Sequence, residues 1–380
     1  MTRSLIDRRW AAPLSAAALL LTLASPAEAG VTDWQRTPTP ALDRSYDLRD
    51  TVAVAQNDVI AVGNRYSGHP PVVLRWNGQS WQTDTRVPAE QSTLISVTAR
   101  GPNNVWAVGS TWDADAAAER PTTLKWDGTR WRRFNGIVND PAESMAFKGA
   151  AVVSASTLWA VGDEVGAGYT RRPTAQRRDG QRWQRFVLPF QGTSGTVSSI
   201  SARSATDIWA VGEERESVFA PRAVAWHWNG SVWSRMLIGD GTEFQPRDVV
   251  AVSSTEVWAV GLQPDPAQKP AVARWNGTGW QMVGAPPAPA GASLATLDAV
   301  ETDGRGGVWA AGMSYSSSTQ GFFAQYTNGA WTTAVNPNGL TGLVEGLSRV
   351  PGSTTVWAAG RESDASGGCG LCQGLAGVHR

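Results

Sequence analysis

The histidines and the clustered carboxylates are the residues whose types and spacing could do chemistry. The three histidines, His69, His227 and His379, lie far apart in the chain, so a three-histidine metal site is not expected. Asp113, Asp115 and Glu119 lie close together, but the EF-hand spacing with its central glycine is absent. No nucleophile elbow, zinc-protease motif or phosphate-binding glycine loop is present. The sequence therefore predicts no cofactor, with a structural calcium ion as the one open alternative, and it favours a protein that is not an enzyme.

A repeated unit organises the elements that must position any functional residue. The string Val/Ile/Leu-Trp-Ala-Val/Ala-Gly, called here the b-motif, occurs six times, and residues 59–63 are a version without the tryptophan. Its glycines stand at positions 63, 109, 162, 212, 261, 312 and 360. A second string, Trp-Asn/Asp-Gly-x-x-Trp, follows most copies, as at residues 76–81 and 275–280. A period of about 50 residues predicts a repeat architecture.

Each period contains four short β-strands. The b-motif is apolar on both faces of a strand, which is typical of a strand that is covered on both sides, and we expect its glycine to let the chain leave the sheet. A β-rich run such as residues 94–97 precedes each b-motif. The Asn-Gly or Asp-Gly pair of the second string predicts a type I′ hairpin turn. The strands of one period, a to d, therefore form an antiparallel sheet, and the chain lacks a sustained helical period.

Seven four-stranded units predict an all-β, seven-bladed β-propeller over residues 30–380. The seventh b-motif has no second string after it, whereas residues 30–35 resemble the start of a strand d. We therefore expect three strands of the last blade to come from the C-terminus and the fourth from the N-terminus. Closing the ring in this way protects the edges of the sheets.

These repeated strings resemble those of secreted bacterial β-propellers built from "WAVG…W(N/D)G..W" units, and more loosely kelch-type repeats. The resemblance covers nearly all of residues 31–380 and implies the propeller fold. It implies no particular activity, because propellers host many unrelated functions.

Most of the 20 tryptophans occupy repeated positions, which indicates packing between blades and not a binding surface. Trp112 and Trp226 lie outside these positions. We expect Trp226 to be buried or on a blade face, and Trp112 to lie in a loop. There it would either stack on a sugar or peptide, or pack on a neighbouring loop.

The segments after the b-motif glycines differ most between repeats, and variable loops on a rigid repeat are the expected place for function. These b–c connections share one end of the central channel with the d–a connections. The residues just after the glycines are expected to converge there, with ordinary solvated charge as the alternative. The candidate ligand-binding residues are Trp112, Arg65, Tyr66, His69, Asp113, Glu164, Arg171, Glu214 and Glu362.

Residues 1–29 have the pattern of a secretory signal peptide. Basic residues near the start precede an apolar run at 16–24 and an Ala-Glu-Ala cleavage site ending at Ala29. The apolar run is too short to span a bilayer comfortably, so cleavage is favoured over a membrane anchor. The sequence thus predicts a secreted protein, and in that oxidising compartment Cys369 and Cys372 are expected to form a local disulfide.

The charge balance excludes two classes of partner. Lys and Arg number 33 and Asp and Glu number 33, so the basic excess needed to bind nucleic acid or an anionic membrane is missing. We expect a monomeric, non-catalytic propeller that presents its b–c loops to an extracellular glycan or protein. The alternatives are a secreted carbohydrate-active lyase or hydrolase that uses loop carboxylates, and a structural scaffold of the cell envelope.

Overall fold

The chain folds into seven four-stranded antiparallel sheets, each of which contacts the next. A computed structural model describes residues 30–66, 71–88, 92–138, 140, 143–215, 221–240, 244–264, 268–362 and 373–380. Over these ranges the only helical segments are 3-10 turns at Ala167–Tyr169 and Pro337–Gly339, and neither is long and apolar enough to cross a membrane. The all-β, seven-bladed propeller is confirmed.

The strands follow the order a, b, c, d within each blade. The first strand, β1 (Gln35–Arg36), is strand d of blade 7. Blade 1 has β2 (Tyr46–Ala55), β3 (Asp58–Arg65), β4 (Val72–Trp76) and β5 (Trp81–Thr83). Blade 2 has β6 (Thr93–Ala99), β7 (Val105–Asp113), β8 (Ala118–Trp126) and β9 (Trp131–Asn135). Blade 3 has β10 (Ser144–Val152), β11 (Thr157–Val165), β12 (Arg171–Asp179) and β13 (Arg182–Val187). Blade 4 has β14 (Ser194–Ser204), β15 (Asp207–Arg215), β16 (Pro221–Trp228) and β17 (Trp233–Leu237). Blade 5 has β18 (Gln245–Ser253), β19 (Glu256–Gln263), β20 (Lys269–Trp275) and β21 (Trp280–Val283). Blade 6 has β22 (Leu294–Thr302), β23 (Val308–Tyr315), β24 (Thr319–Thr327) and β25 (Ala330–Val335). Blade 7 has β26 (Gly342–Arg349), β27 (Val356–Glu362), β28 (Gly374–His379) and β1.

The ring closes through the two ends of the described chain. Strand β1 pairs antiparallel with β28, with Gln35 opposite Val378. Trp34, just before β1, is fully buried and meets Trp309 of blade 6 edge to face at 5.3 Å between ring centroids. The predicted closure by an N-terminal strand is therefore confirmed, and it leaves blade 7 with a complete four-stranded sheet.

Aromatic triads pack at four of the interfaces between neighbouring blades. Trp159 of strand b in blade 3 packs on Trp228 and Trp233 of blade 4, with ring centroids 4.9 and 5.3 Å apart. The same arrangement recurs as Trp357 with Trp76 and Trp81, as Trp209 with Trp275 and Trp280, and as Trp258 with Tyr326 and Trp331. Such contacts combine a large buried area with favourable ring geometry. The repeated tryptophans therefore form the core, as predicted, and Trp226 is buried too.

The c–d turns differ from the predicted type I′ hairpin in most blades. In blade 1, Trp76 pairs with Trp81, so the loop has four residues, and only Gly78 within it has a positive φ. The side chain of Asn77 accepts hydrogen bonds from the backbone N–H groups of Gln79 and Ser80, both at 3.0 Å. This local bonding stabilises an Asx turn in place of the two-residue turn. Both central residues have positive φ only in blade 6, at Asn328 and Gly329.

Candidate functional site

A β-bulge lies in the first half or at the middle of strand a in every blade. In blade 1 the register between β2 and β3 shifts between Leu48 and Asp50, so the intervening Arg49 has no partner on β3. Such a bulge re-aims its extra side chain. The seven bulge residues, one per blade, are Arg49, Ile95, Lys148, Ser198, Arg247, Asp298 and Glu345.

The b-motif glycine makes room for this bulge. Gly63 pairs with Leu48, directly before the bulge, and a Cβ on it would lie 1.9 Å from the carbonyl oxygen of Asp47. At the other six glycines the corresponding distance is between 1.8 and 2.3 Å. The prediction that this glycine lets the chain leave the sheet is wrong, because strand b continues beyond it in every blade. The glycine is needed because any side chain there would collide with the backbone of strand a.

The seven bulge residues line one central channel. Together with neighbouring residues of strand a, and with Leu262, Gln268 and Met313, they surround a cavity of about 580 Å³. Leu262 and Met313 follow the b-motif glycine and Gln268 lies in a b–c connection, so the cavity reaches the end of the propeller that carries the b–c and d–a connections. A cavity of this size is in the range typical of ligand-binding sites.

Two of the three cations in the channel are already paired with carboxylates. Arg49 forms ion pairs with Asp47 at 2.7 Å and with Glu345 of the neighbouring blade at 2.9 Å. Lys148 forms an ion pair with Asp163, whose other oxygen accepts a hydrogen bond from the backbone N–H of Val197 at 2.7 Å. Burial raises the pKa of the Glu345 carboxyl to about 7, although the charge of Arg49 opposes this rise.

Asp50 and Asp248 occupy the position directly after the bulge in blades 1 and 5 and also line the channel. Asp50 accepts a hydrogen bond at 2.8 Å from the backbone N–H of Val97 in blade 2. Asp248 accepts one at 2.8 Å from the N–H of Val300 in blade 6 and another at 2.6 Å from the Ser199 hydroxyl. Burial raises the pKa of both carboxyls, that of Asp50 to about 7. These carboxylates therefore tie neighbouring blades together at the channel wall.

Exposed aromatic side chains lie at the end of the propeller that carries the b–c connections. Tyr66, Trp112, Tyr169 and Tyr315 all lie near or just after the end of a strand b, in blades 1, 2, 3 and 6. Trp112 is 55% exposed and Tyr169 is 90% exposed. The Tyr66 hydroxyl accepts a hydrogen bond at 3.0 Å from Arg361 of blade 7. Exposed tyrosine and tryptophan are typical of surfaces that bind a partner.

Trp112 lies in a strand and not in the predicted loop. It is the penultimate residue of β7 and pairs with Glu119 of β8, so strands b and c of blade 2 form a long hairpin beyond the sheet. Asp113 binds Arg120 at 3.0 Å and also accepts hydrogen bonds from the backbone of its own turn. Within the described ranges no group of three or more histidine, cysteine or acidic side chains could hold a metal ion.

Three of the predicted mouth carboxylates are engaged elsewhere. Glu164 and Glu214 are fully buried, and each forms a two-contact ion pair with an arginine of strand d, Arg185 and Arg235 respectively. Glu362 forms the corresponding pair with Arg36 at 2.5 Å. Each glutamate lies two residues after the b-motif glycine, and each arginine two residues after the first tryptophan of strand d. These pairs join strands b and d within a blade, so the expected convergence of the three on the channel mouth is wrong.

Two predicted arginines lie at the ends of strands that flank a b–c connection. Arg65 ends strand β3, and Arg171 begins β12 with a guanidinium nitrogen 3.5 Å from Asp163. His69, Cys369, Cys372 and residues 1–29 lie outside the described part of the chain. Whether any of the predicted residues binds a ligand stays a prediction.

The ring of bulge residues was not predicted, although the sequence holds a signal for it. Each bulge residue precedes its b-motif glycine by fourteen positions in blades 1 to 6, as Arg49 precedes Gly63, and by fifteen in blade 7. A constant offset from a repeated glycine marks one structural position. The residues at that offset share no chemical type, so they form no recognisable sequence motif.

Comparison with known proteins supports the fold. Among solved structures, the chain is similar to YCF48 bound to D1 peptide, with a TM-score of 0.57 and 12% identity over 92% of this chain and 97% of that one. It is also similar to YCF48 from Cyanidioschyzon merolae, with a TM-score of 0.55 and 12% identity over 91% and 98% of the two chains. The β-propeller domain of Myceliophteria thermophila Cps50 (Swd1) gives a TM-score of 0.54 with 12% identity over 91% and 99%. No protein-family model and no curated protein matches the chain, so the resemblance to kelch-type repeats stays a prediction.

Proposed function

We propose that this protein is an exported, non-catalytic binding module that takes a segment of another protein at the mouth of its central channel. The observation that carries the proposal is that the open channel and the exposed aromatic side chains lie at the same end of the propeller. Tyrosine and tryptophan provide large contact areas at a small cost in conformational entropy. A propeller of similar fold, YCF48, has a peptide as its bound partner, which supports a binding role of this general kind.

Export would follow from cleavage after Ala29. The first described residue, Gly30, already contacts the last strand, because its carbonyl oxygen lies 3.1 Å from Nε2 of His379. Sequencing the N-terminus of protein recovered from the medium of an expressing bacterium tests this part of the proposal. A first residue at Gly30 supports export, and an uncleaved chain retained in the cell refutes it.

The binding role is tested with a random peptide display library and a glycan array, each probed with the wild-type protein. Ligands found in either screen are then measured against the double variant Trp112→Ala/Tyr169→Ala. The matched control is Val232→Ala, because Val232 is also 55% exposed but lies in a c–d turn at the opposite end of the propeller.

We expect selected peptides to bind the double variant at least about tenfold more weakly, because aromatic anchors commonly contribute 2 kcal/mol or more. The Val232 variant should bind them normally. Peptides that bind the double variant as well as the wild type would refute the location, and a screen that returns only glycans would assign the mouth to carbohydrate.

The alternative of a carbohydrate-active enzyme gains no support from the predicted loop carboxylates. Glu164 and Glu214 are held by arginines in the core of their blades, where a polysaccharide does not reach them. Release of reducing or unsaturated products from a polysaccharide panel, lost on a single Asp or Glu substitution, would nevertheless replace the binding proposal.

A further inference from the structure

The cations that line the channel lie beside carboxylates, whereas two of the channel carboxylates have no cation beside them among the described residues. Arg49 is paired with Asp47 and Glu345, and Lys148 is paired with Asp163. The third cation, Arg247, is close enough to Asp298 for its charge to oppose the rise in that carboxyl's pKa. Two of the three cations are thus neutralised by ion pairs and the third lies near a carboxylate, so the channel has little positive charge left to offer an anionic ligand.

Asp50 and Asp248 have no such cation within the described residues. Among the described residues, the hydrogen bonds that their oxygens accept come from backbone N–H groups and serine hydroxyls. Burial is the main cause of their raised pKa, and the negative charge of Asp248 adds to the rise at Asp50. Two carboxylates on blades 1 and 5 therefore share one cavity without a compensating positive charge.

We infer that the channel takes up the cationic side chain of an arginine or lysine that projects from the protein segment bound at its mouth. This inference rests on the proposed function, because it concerns the same opening and the same partner. The cationic group would lie between the carboxylates of blades 1 and 5, while the exposed aromatic residues contact the flanking part of the segment. Buried carboxylates gain most from a cation that also brings hydrogen-bond donors, as guanidinium and ammonium groups do.

The observations favour such an organic cation over a metal ion. A calcium ion needs six to eight oxygen ligands, and no group of three or more acidic, histidine or cysteine side chains comes together within the described ranges. The cavity of about 580 Å³ is also far larger than a bound ion requires. It has the volume of a site for an organic group of side-chain size or more.

The test uses four end-blocked peptides, Gly-Gly-X-Gly-Gly, in which X is arginine, lysine, citrulline or glutamate. Citrulline has nearly the shape of arginine but no charge, so it isolates the electrostatic contribution. Affinities for the mature protein are measured by titration calorimetry at pH 8, where carboxyls with a pKa of about 7 are ionised. The variants are Asp50→Asn and Asp248→Asn, and the matched control is Asp58→Asn. Asp58 is an ion-paired carboxylate at the start of β3, at the opposite end of the propeller.

We expect the arginine and lysine peptides to bind at least about tenfold more tightly than the citrulline peptide, because hydrogen bonds to charged groups contribute about 1.5–3 kcal/mol. Each channel variant should weaken binding of the arginine peptide by about tenfold, whereas Asp58→Asn should leave it unchanged. If one of these variants fails to fold because its bond to Val97 or Val300 is lost, the other variant carries the comparison, and the four-peptide series on the wild-type protein depends on neither.

Equal affinities for the arginine and citrulline peptides, or no binding below about 1 mM, would overturn the inference. Tighter binding of the glutamate peptide would also overturn it and would assign recognition to Lys148 and Arg247. The proposed function stands after any of these results if the binding of library peptides still depends on Trp112 and Tyr169. Loss of that dependence, in contrast, refutes the proposed function whatever the peptide series shows.

Discussion

Replacing one b-motif glycine tests why all seven blades have glycine at this position. In Gly212→Ala, the added Cβ would lie 1.9 Å from the carbonyl oxygen of Thr196 and 2.9 Å from the Cα of Val197. Both neighbours are backbone atoms of β14, so no side chain can rotate away to relieve the contact. The strand must shift by about 1 Å or lose its bulge, because close-packed interiors have no spare volume.

The expected change in unfolding free energy combines two destabilising contributions with one stabilising contribution. Overpacking a well-packed site typically costs 1–3 kcal/mol and sometimes more, and disturbing the ladder beside the bulge adds about 1 kcal/mol. Alanine lowers the entropy of the unfolded chain and so returns about 0.4–1 kcal/mol. The net effect is a destabilisation of about 2 kcal/mol. For a propeller of this length, this corresponds to a fall in Tm of about 3 °C.

Thermal and urea unfolding of the purified variant measure this effect. The control is Gly279→Ala, because a Cβ at Gly279 would meet no atom within 4 Å and its φ is not positive. That substitution should change the unfolding free energy by less than about 0.5 kcal/mol, or stabilise slightly. If Gly212→Ala is as stable as Gly279→Ala, the close approach between strand b and the bulge does not explain the repeated glycine.

Three further predictions concern closure, the buried ion pairs and pH. In urea titrations, Trp34→Ala should lower the unfolding free energy by about 3–5 kcal/mol, because Trp34 is fully buried. Replacing the exposed Trp112 by alanine should leave it nearly unchanged, and equal effects would contradict closure through Trp34. Glu214→Ala should cost about 3–5 kcal/mol because Arg235 is left without its partner, and adding Arg235→Met should recover most of this loss in the same assay. The raised pKa of Asp50, about 7 against about 3.9 unfolded, means that the folded state binds the extra proton between these values. The unfolding free energy should therefore fall as pH rises from about 4 to 7, and Asp50→Asn should reduce this slope. A slope that is unchanged in the variant would contradict the assignment.

The sequence was sufficient to predict the fold because several independent signals agree. The b-motif marks a doubly covered strand, its recurrence gives the number of blades, and the likeness of residues 30–35 to a strand d predicts the closure. Packing around Trp159 and its counterparts repeats in the same way in several blades, so one correct interpretation applies to all of them. The type I′ turn failed because the side chain of Asn77 bonds to the backbone two and three residues ahead, which favours a longer loop.

The site was harder to predict for a physical reason. A mouth residue such as Glu164 was chosen because it lies in a variable segment, yet β11 continues past the glycine and carries its carboxylate into the blade. The channel residues lie instead on strand a, where only the backbone conformation is repeated and the side chains differ. Asp298 and Lys148 share a structural position and have opposite charges, which no search for a common residue type would reveal.

Because of the glycine of strand b and the bulge of strand a, the residues that determine the fold differ from the residues that line the channel. The glycine fixes where strand a bulges, and the bulge turns one side chain per blade into the channel, whatever that side chain is. Because Ile95 and Ser198 occupy the same position as Arg49 without any change in the bulge, substitutions there leave the blade backbone intact. The charge and shape of the channel can therefore vary while the repeated tryptophans hold the ring together. This arrangement predicts that substitutions at the bulge residues affect binding more than stability, whereas Asp50 and Asp248, which also tie neighbouring blades together, affect both.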